Sequence, residues 1–350
     1  MSQKEGLQRA IHELIEKRDL SAELMTDAMT EIMHGNASNA QMGAFLVALR
    51  LKGETVDEIA AAADLFRQKA EIIKAEGEIL DIVGTGGDKS NSFNVSTITA
   101  IVVAAAGYSV AKHGNRSVSS KCGSADLLEA LGVKIDVPVE KNQRIFDTMG
   151  LCFMFAPIYH SSMKNVAGVR RELGVRTIFN ILGPLLNPAG AKLMLLGVYE
   201  KALVRPMAEV LQKLGVQRGM VVWGHDGLDE VTLCSKTDVC EINGREISCY
   251  EFNPAEQGFD ICNSSDLTGG DPQQNAKIAL DLLNGEKGPM RDMVVLNSAL
   301  SLKIANPRLT IEEAKMVAEE TIDGGKALQK LRELIKLSNS EDKSNSEGEK

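Results

Sequence analysis

Over the first 73 positions the apolar residues recur only with helical spacing. Leu7, Ile11, Leu14 and Ile15 make one stripe, and Leu24, Met25, Ala28, Met29, Ile32 and Met33 make another that ends at Gly35. Two capping boxes follow. Ser38-x-x-Gln41 opens a helix through Phe45, Leu46 and Leu49 that stops near Gly53, and Thr55-x-x-Glu58 opens one through Ile59 and Leu65. The pattern predicts a small bundle of four short helices. Its methionine-rich stripes read as core, and any stripe left exposed would suit a dimer interface.

From about residue 79 short apolar runs alternate with helical segments, the pattern of a mainly parallel sheet with helices on its faces. The strand candidates are Ile79 to Val83, Ser109 to Ala111, Cys152 to Phe155, Leu193 to Val198 and Met220 to Trp223. Three further runs, Val231 to Cys234, Val239 to Ile242 and Ile247 to Phe252, come without helices between them and suggest an antiparallel edge. Helices resume near 273, with Pro289 to Ala305 strongly apolar and two amphipathic segments between Thr310 and Leu337. The remaining stretch, Ser338 to Lys350, contains only Ser, Asn, Glu, Asp, Lys and Gly, and is expected to be disordered.

One stretch stands out against this frame: Asp81-Ile-Val-Gly-Thr-Gly-Gly-Asp88-Lys-Ser-Asn-Ser-Phe-Asn94-Val-Ser-Thr97. It reads as strand, glycine turn, helix. Glycines at 84, 86 and 87 let backbone approach a ligand, while Asn94, Ser96 and Thr97 fall where a helix offers free N–H groups and a positive dipole end. A phosphate is the natural guest. The loop fits neither the dinucleotide fingerprint, whose last glycine is replaced by Lys89, nor a Walker A loop, because Asp88 separates Gly87 from Lys89-Ser90. An acid inside a phosphate cradle implies a guest with hydroxyls and Mg²⁺ as well as phosphate.

Composition narrows the classes. With 350 residues, 44% apolar and 25% charged, the chain can bury the cores of two domains without staples. Thirty-nine basic against 48 acidic residues give a net charge of −9, which argues against a broad nucleic-acid or membrane surface. The six cysteines show neither C-x-x-C spacing nor neighbouring histidines, so reduced thiols are expected. The opening Met-Ser-Gln-Lys-Glu-Gly has no apolar signal core and no run reaches membrane-span length, so the expected location is cytoplasmic.

Three more segments carry candidate chemistry. The loop from Lys112 through His113, Gly114, Asn115, Arg116, Ser117, Val118, Ser119, Ser120 and Lys121 to Ser124 follows a strand candidate, and gathers three cations and four serine hydroxyls. In an open α/β sheet such a loop converges with the first on one crevice. Lys164 to Asn187 contains Arg170, Arg171 and Arg176, where a guanidinium suits a carboxylate and where a solvated basic face is an equal reading. Asp226, Asp229 and Glu230 follow Met220 to Trp223; adjacent carboxylates there can share a hard cation, although acidic turns are common.

Together the segments resemble the anthranilate phosphoribosyltransferase family of tryptophan biosynthesis. The resemblance runs from Ala44-Phe-Leu-Val-Ala-Leu-Arg-Leu-Lys-Gly-Glu-Thr55 through Gly84-Thr-Gly-Gly-Asp88, Lys112-His-Gly-Asn-Arg116 and Arg170-Arg-Glu-Leu-Gly174 to Gly227-Leu-Asp-Glu230. It implies an α/β fold: a small N-terminal helical domain plus a larger α/β domain with a mainly parallel central sheet, the active site in the cleft between them. The helical domain would span 1–73 and be completed by about 165–187; the α/β domain would span 74–164 and 188–337. The resemblance further implies that Gly84, Gly87, Asp88, Ser92, Asn94, Val95, Ser96, Thr97, Lys112 to Ser120 and Ser124 hold phosphoribosyl pyrophosphate. Ser96, Asp229 and Glu230 would ligate Mg²⁺. Gly84, Asn115 and Arg170 would hold anthranilate, with His113 nearby, and the helical domain would form a homodimer. Where this chain has His160-Ser-Ser-Met-Lys164, Gly168 and Trp223 it departs from the family pattern, which bears only on the shape of the anthranilate entry.

The implied reaction displaces pyrophosphate from the ribose anomeric carbon by the amine of anthranilate. Mg²⁺ and Lys112 would neutralise the leaving group, so catalysis would rest on positioning and electrostatics. No residue reads as a strong general base. A nucleoside phosphorylase of the same fold is disfavoured by Asp229-Glu230 and by the absence of that family's Lys-His-Ser-Thr-Gly-Gly loop. A non-catalytic nucleic-acid-binding relative is opposed by the acidic balance.

Overall fold

Helices α1 (Gly6–Ile15), α2 (Ala22–Met33), α3 (Asn39–Lys52) and α4 (Val56–Gln68) come first in the structure, a computed structural model that describes residues 6–117 and 120–341. Both expected capping boxes form: Ser38 accepts from the Gln41 amide, and Thr55 accepts from that of Glu58. Leu7, Met25, Met29, Phe45, Leu46 and Leu49 are almost fully buried between these helices, and each such side chain contributes about 1.5–3 kcal/mol. Glu58 has a second task. Fully buried, it accepts from the amides of Leu20 and Thr55 and from Lys52 Nζ, each at 2.8 Å, and so ties the α1–α2 connection to α4. Removing its carboxylate would orphan those donors, at about 1–3 kcal/mol each.

The sheet is built from β1 (Leu80–Gly84), β2 (Val110–Gly114), β3 (Leu151–Phe155), β4 (Leu193–Gly197), β5 (Arg218–Gly224), β6 (Thr237–Asn243) and β7 (Glu246–Phe252). Their spatial order is β3-β2-β1-β4-β5-β6-β7, with β1 to β5 parallel and β6 and β7 antiparallel. The expected antiparallel edge is therefore present. The chain builds outward from β1 in one direction, then returns to lay β4 against its other side. In such sheets ligands sit outside the carboxyl ends of the strands at this reversal.

Helices α5 (Val95–Ala105), α6 (Ser124–Ala130), α7 (Val139–Met149), α8 (Ala156–Tyr159), α9 (Lys164–Leu173), α10 (Phe179–Leu182) and α11 (Val204–Lys213) connect the parallel strands. Beyond the sheet lie α12 (Pro272–Leu283), α13 (Pro289–Ala305), α14 (Ile311–Asp323) and α15 (Lys326–Asn339). Leu80, Ile82, Leu193 and Leu195 share one apolar cluster with α5 and α13, whereas Met194, Leu196 and Val198 share another with α11 and the first four helices. Burial on both faces explains why these strands read as unbroken apolar runs. Helix α9 packs against α2 and α3, which lie far from it in sequence.

Four expectations need correction. Val231 to Cys234 is not a strand: the amide and carbonyl of Val231 are taken by the Asn297 side chain, and the amides of Thr232 and Cys234 donate to the Thr237 and Thr232 hydroxyls. Val231 and Leu233 are apolar because this loop enters the core. The β2 strand runs past Ala111 to Gly114, so Lys112 and His113 are buried strand residues rather than loop residues. Ser338 and Asn339 belong to α15, not to a disordered tail. Ser338 accepts from the Lys134 amide and Asn339 donates to the Gly132 carbonyl, which makes polar residues useful there; residues 342–350 lie outside the described ones. Finally, Cys240 and Cys249 form a disulfide. They face each other across β6 and β7 with Cα atoms 4.1 Å apart, a proximity that C-x-x-C spacing does not report.

Candidate active site

The loop after β1 is held open by close backbone approach and by left-handed residues. Gly84 and Gly197 are paired in register at the ends of β1 and β4, and a Cβ on either would collide with Asp229. Only glycine lets the 229–230 turn lie across these two strand ends. Gly86 and Gly87 have φ of 64° and 74°, and Lys89 and Asn91 follow at 63° and 55°, which is uncommon for residues with side chains. The loop then enters α5 at Asn94, as its residue types foretell.

Asp229 and Glu230 each bind one end of this strand–loop–helix unit. The Gly86 amide donates to Asp229 Oδ2 at 2.6 Å, and the Ser96 amide, in the first turn of α5, donates to the Glu230 carboxylate. Lys112 lies beneath them, 3% exposed, donating to the Ile82 carbonyl at 2.6 Å and to the Ser96 hydroxyl at 3.2 Å. Asp88 leans on Asp229 and keeps one buried oxygen without a partner. Burial, with Asp88 nearby, pushes Asp229 up to about 7; burial and the neighbouring Asp229 hold Glu230 well above the usual carboxylate range. Burial lowers Lys112, against the pull of Asp81, Glu230 and Asp229. Three carboxylates crowd one lysine, so the pocket has an excess of hard anionic oxygens that a divalent cation would relieve.

The second loop is less convergent than its sequence suggests. Arg116 is tied to Asp126 and Glu129 and stacks on Phe155, and Lys121 is exposed, so the three cations do not face one place. Gly114 ends β2 beside Ser124, whose hydroxyl donates to the Asn115 carbonyl at 3.2 Å. Ser117 and Ser120 bond to each other through their hydroxyls. Val118 and Ser119 lie outside the described residues. Of the first loop, Ser92 pairs with Thr268 in a short bridge, Asn94 donates to the Cys122 carbonyl, and Val95 and Thr97 turn into the core. Those two side chains do not present themselves to a ligand.

Arg170 lies on α9, half-buried, its guanidinium 5.5 Å from the centre of the Phe179 ring, and burial lowers its pKa. Among the described residues no carboxylate pairs with it. His113 is buried and pushed down to about 3, first by burial and then by His160, whose ring stands edge-on 5.2 Å away. It is therefore neutral near pH 7, and its Nε2 has no partner among the described residues.

Several contributors escaped sequence reasoning. Gly197 sits inside an apolar run, where a glycine signals close backbone approach, and that cue was available. The buried set of Asp81, His113 and Asn187 was not legible: Asp81 accepts from the His113 amide at 3.3 Å and from Asn187 Nδ2 at 2.8 Å, across 106 positions of chain. Arg176 and Tyr199 likewise meet only in the fold.

A helical bundle beside a sheet with a carboxylate-lined glycine loop at its reversal point is the arrangement of a glycosyl transferase family whose two domain models this chain matches. The family described as "Glycosyl transferase family, helical bundle domain" matches residues 8–70, and "Glycosyl transferase family, a/b domain" matches residues 76–328. The anthranilate phosphoribosyltransferase of Ruminiclostridium cellulolyticum is 56% identical over 334 residues, covering 95% of this chain and 98% of that protein. The crystal structure of the enzyme from Thermus thermophilus superposes with a TM-score of 0.90 at 41% identity, covering 95% of this chain and 99% of its own. That from Saccharomyces cerevisiae, in complex with PRPP and Mg, gives 0.88 at 30% identity, covering 95% and 97%. The chain belongs to the anthranilate phosphoribosyltransferase family.

Proposed function

We propose that this chain transfers the phosphoribosyl group of 5-phosphoribosyl 1-pyrophosphate to the amine of anthranilate, giving N-(5-phosphoribosyl)anthranilate and pyrophosphate, the second step from chorismate in tryptophan biosynthesis. The observation that carries this reading is the cluster of Asp88, Asp229, Glu230 and Lys112 against the glycine loop and the first turn of α5. Phosphate oxygens suit the loop and helix amides; a divalent cation suits the carboxylates.

The donor set fits Mg²⁺: carboxylate oxygens of Asp229 and Glu230, with the Ser96 hydroxyl beside them. Among the described residues no group of three or more His, Cys, Asp or Glu side chains is arranged to hold a metal alone. Mg²⁺ usually completes its shell with substrate phosphates and water, which matches a two-carboxylate site. When bound, the ion neutralises charge on the departing pyrophosphate. Lys112 Nζ, held by the Ile82 carbonyl and the Ser96 hydroxyl, stands beside these groups to offset charge on the leaving group. Gly84, Gly87, Asp88, Ser92, Asn94 and Ser96, with Lys112 to Gly114 at the end of β2 and Asn115 to Ser117, Ser120 and Ser124 beyond it, would surround the phosphoribosyl group, with Arg116 free to contribute only if it leaves Asp126 and Glu129.

Arg170, without an anionic partner, is assigned to the anthranilate carboxylate, with Gly84 and Asn115 beside the ring. The C–N bond forms as the C–O bond to pyrophosphate breaks, and the amine then passes its proton to the departing pyrophosphate or to water. His113 is too weak a base to remove that proton first, and an aromatic amine is nucleophilic without it. Its unpartnered Nε2 can instead accept a hydrogen bond from the amine.

The helical part is taken as 1–73 with about 165–187, which α9 supports by packing on α2 and α3. Val47 and Leu51, four apart on α3, and Ile15 at the end of α1 are exposed apolar residues, with Leu51 at 80%. They support a homodimer through this part, which light scattering would test, with Leu51→Glu expected to yield monomer. No helix of the described residues is long and apolar enough to cross a membrane. The reaction itself is tested by Mg²⁺-dependent release of pyrophosphate from phosphoribosyl pyrophosphate. Release must require anthranilate; release without it, or none at all, overturns the assignment.

A further inference from the structure

The glycine loop places four left-handed residues within six positions. Two of its four left-handed residues, Lys89 and Asn91, have side chains; lysine costs about 1–2 kcal/mol in that region, and asparagine less. Something outside the loop must fix it. On the inner side the Gly86 amide is held by Asp229. On the outer side the only side chain among the described residues that grips the Gly87 carbonyl is Arg176, which donates through its guanidinium.

Arg176 is itself held in place. Its guanidinium lies 3.9 Å from the centre of the Tyr199 ring, a stacked cation–π contact. Tyr199 follows β4, and its amide donates to the Thr85 hydroxyl at 3.0 Å, while the Thr85 amide donates to the Gly197 carbonyl at 3.0 Å. Thr85, Gly87, Arg176 and Tyr199 thus close a circuit around the turn. Arg176 reaches it from the segment between α9, which carries Arg170, and α10, which opens at Phe179. Among the described residues no carboxylate pairs with Arg176, so its charge remains directed at the loop.

We propose that Arg176 is a positioning residue for phosphoribosyl pyrophosphate: it holds the Gly87 peptide so that the loop amides are already aimed when the pyrophosphate arrives, and it does so without touching substrate. The inference rests on the assignment of the glycine loop to phosphoribosyl pyrophosphate. A planar fork that both stacks and donates is what the contact uses, so lysine is a poor substitute.

The test compares Arg176→Ala, Arg176→Lys, Tyr199→Leu and the Arg176→Ala/Tyr199→Leu pair. Calorimetry measures Mg²⁺-phosphoribosyl pyrophosphate binding without acceptor, and kinetics separates the two KM values. Arg176→Ala is expected to weaken phosphoribosyl pyrophosphate about tenfold or more in both Kd and KM, with the anthranilate KM within about twofold of wild type. Arg176→Lys should fall between, and added methylguanidine should restore part of the binding to Arg176→Ala. Because Tyr199 acts through Arg176, the double variant should lose no more than Arg176→Ala alone. Unchanged Kd overturns the proposal. So does a loss confined to the anthranilate KM, which would place Arg176 in the acceptor site, or a loss explained by a fall in Tm without rescue. If wild type binds phosphoribosyl pyrophosphate yet makes no product with anthranilate, the acceptor assignment fails and this inference stands.

Discussion

The backbone oxygen of Asp229 occupies the space that a side chain on Gly197 would need. Gly197 in turn sits opposite Gly84 in the β1–β4 register, so two neighbouring strands end without side chains where the carboxylate turn crosses them. Gly197→Ala must therefore push that turn off the sheet. The expected cost is about 1–3 kcal/mol or more in stability, with Mg²⁺-dependent turnover lost first. Urea unfolding and a Mg²⁺ titration of activity would check this; a variant with wild-type values for both contradicts it.

Asp229→Asn combined with Glu230→Gln removes the two metal-facing charges while keeping shape. Because both carboxylates are buried and mutually repelled, the fold should survive and even gain stability. Turnover should drop sharply or demand far more Mg²⁺. Wild-type Mg²⁺ dependence in a folded double variant would show that the ion binds elsewhere.

Arg170→Ala is expected to raise the KM for anthranilate by roughly tenfold to a hundredfold, the equivalent of one lost charge-assisted pair of about 1.5–3 kcal/mol. The KM for phosphoribosyl pyrophosphate should hardly move. The reverse pattern, in a variant with normal thermal unfolding, assigns Arg170 to the phosphate side instead.

Asp81 gives a pH-dependent stability signature. Burial raises it from 3.8 to about 6, so its contribution is fully present below about pH 4 and is lost as pH rises through 6, by up to about 3 kcal/mol. Asp81→Asn lacks that loss but orphans one of the two donors on Asp81, at about 1–3 kcal/mol. Relative to wild type, the variant should be less stable at pH 4.5 and recover much of the deficit at pH 7. Urea midpoints at the two pH values read this directly, and a deficit independent of pH would mean that Asp81 titrates as an ordinary carboxylate.

Periodicity and turn chemistry made the bundle, the parallel sheet and the entry of the glycine loop into α5 legible in the sequence. Ser38-x-x-Gln41 and Thr55-x-x-Glu58 are local signals, and local geometry honoured them. Errors arose where tertiary contacts replaced local ones. Val231 to Cys234 looks like a strand because it is apolar, yet Val231 bonds to Asn297 on α13 and Thr232 to the Thr237 hydroxyl. The ion pairs of Arg116 were not legible either, because Asp126 and Glu129 stand ten and thirteen positions away on a helix whose orientation the sequence does not report.

The late position of α9 also bears on how the protein is made. Helices α1 to α4 leave the ribosome with one groove uncovered, because the segment that packs on α2 and α3 begins only at Lys164, after β1, β2 and β3. At usual elongation rates of about 5–20 residues per second, that groove stays exposed for roughly 5–20 s. Protease challenge of stalled nascent chains should find the first four helices protected only once Leu173 has emerged, and full protection at Lys69 would refute this. The N-terminal helices thus wait, half-dressed, for a piece of chain synthesised in the middle of another fold.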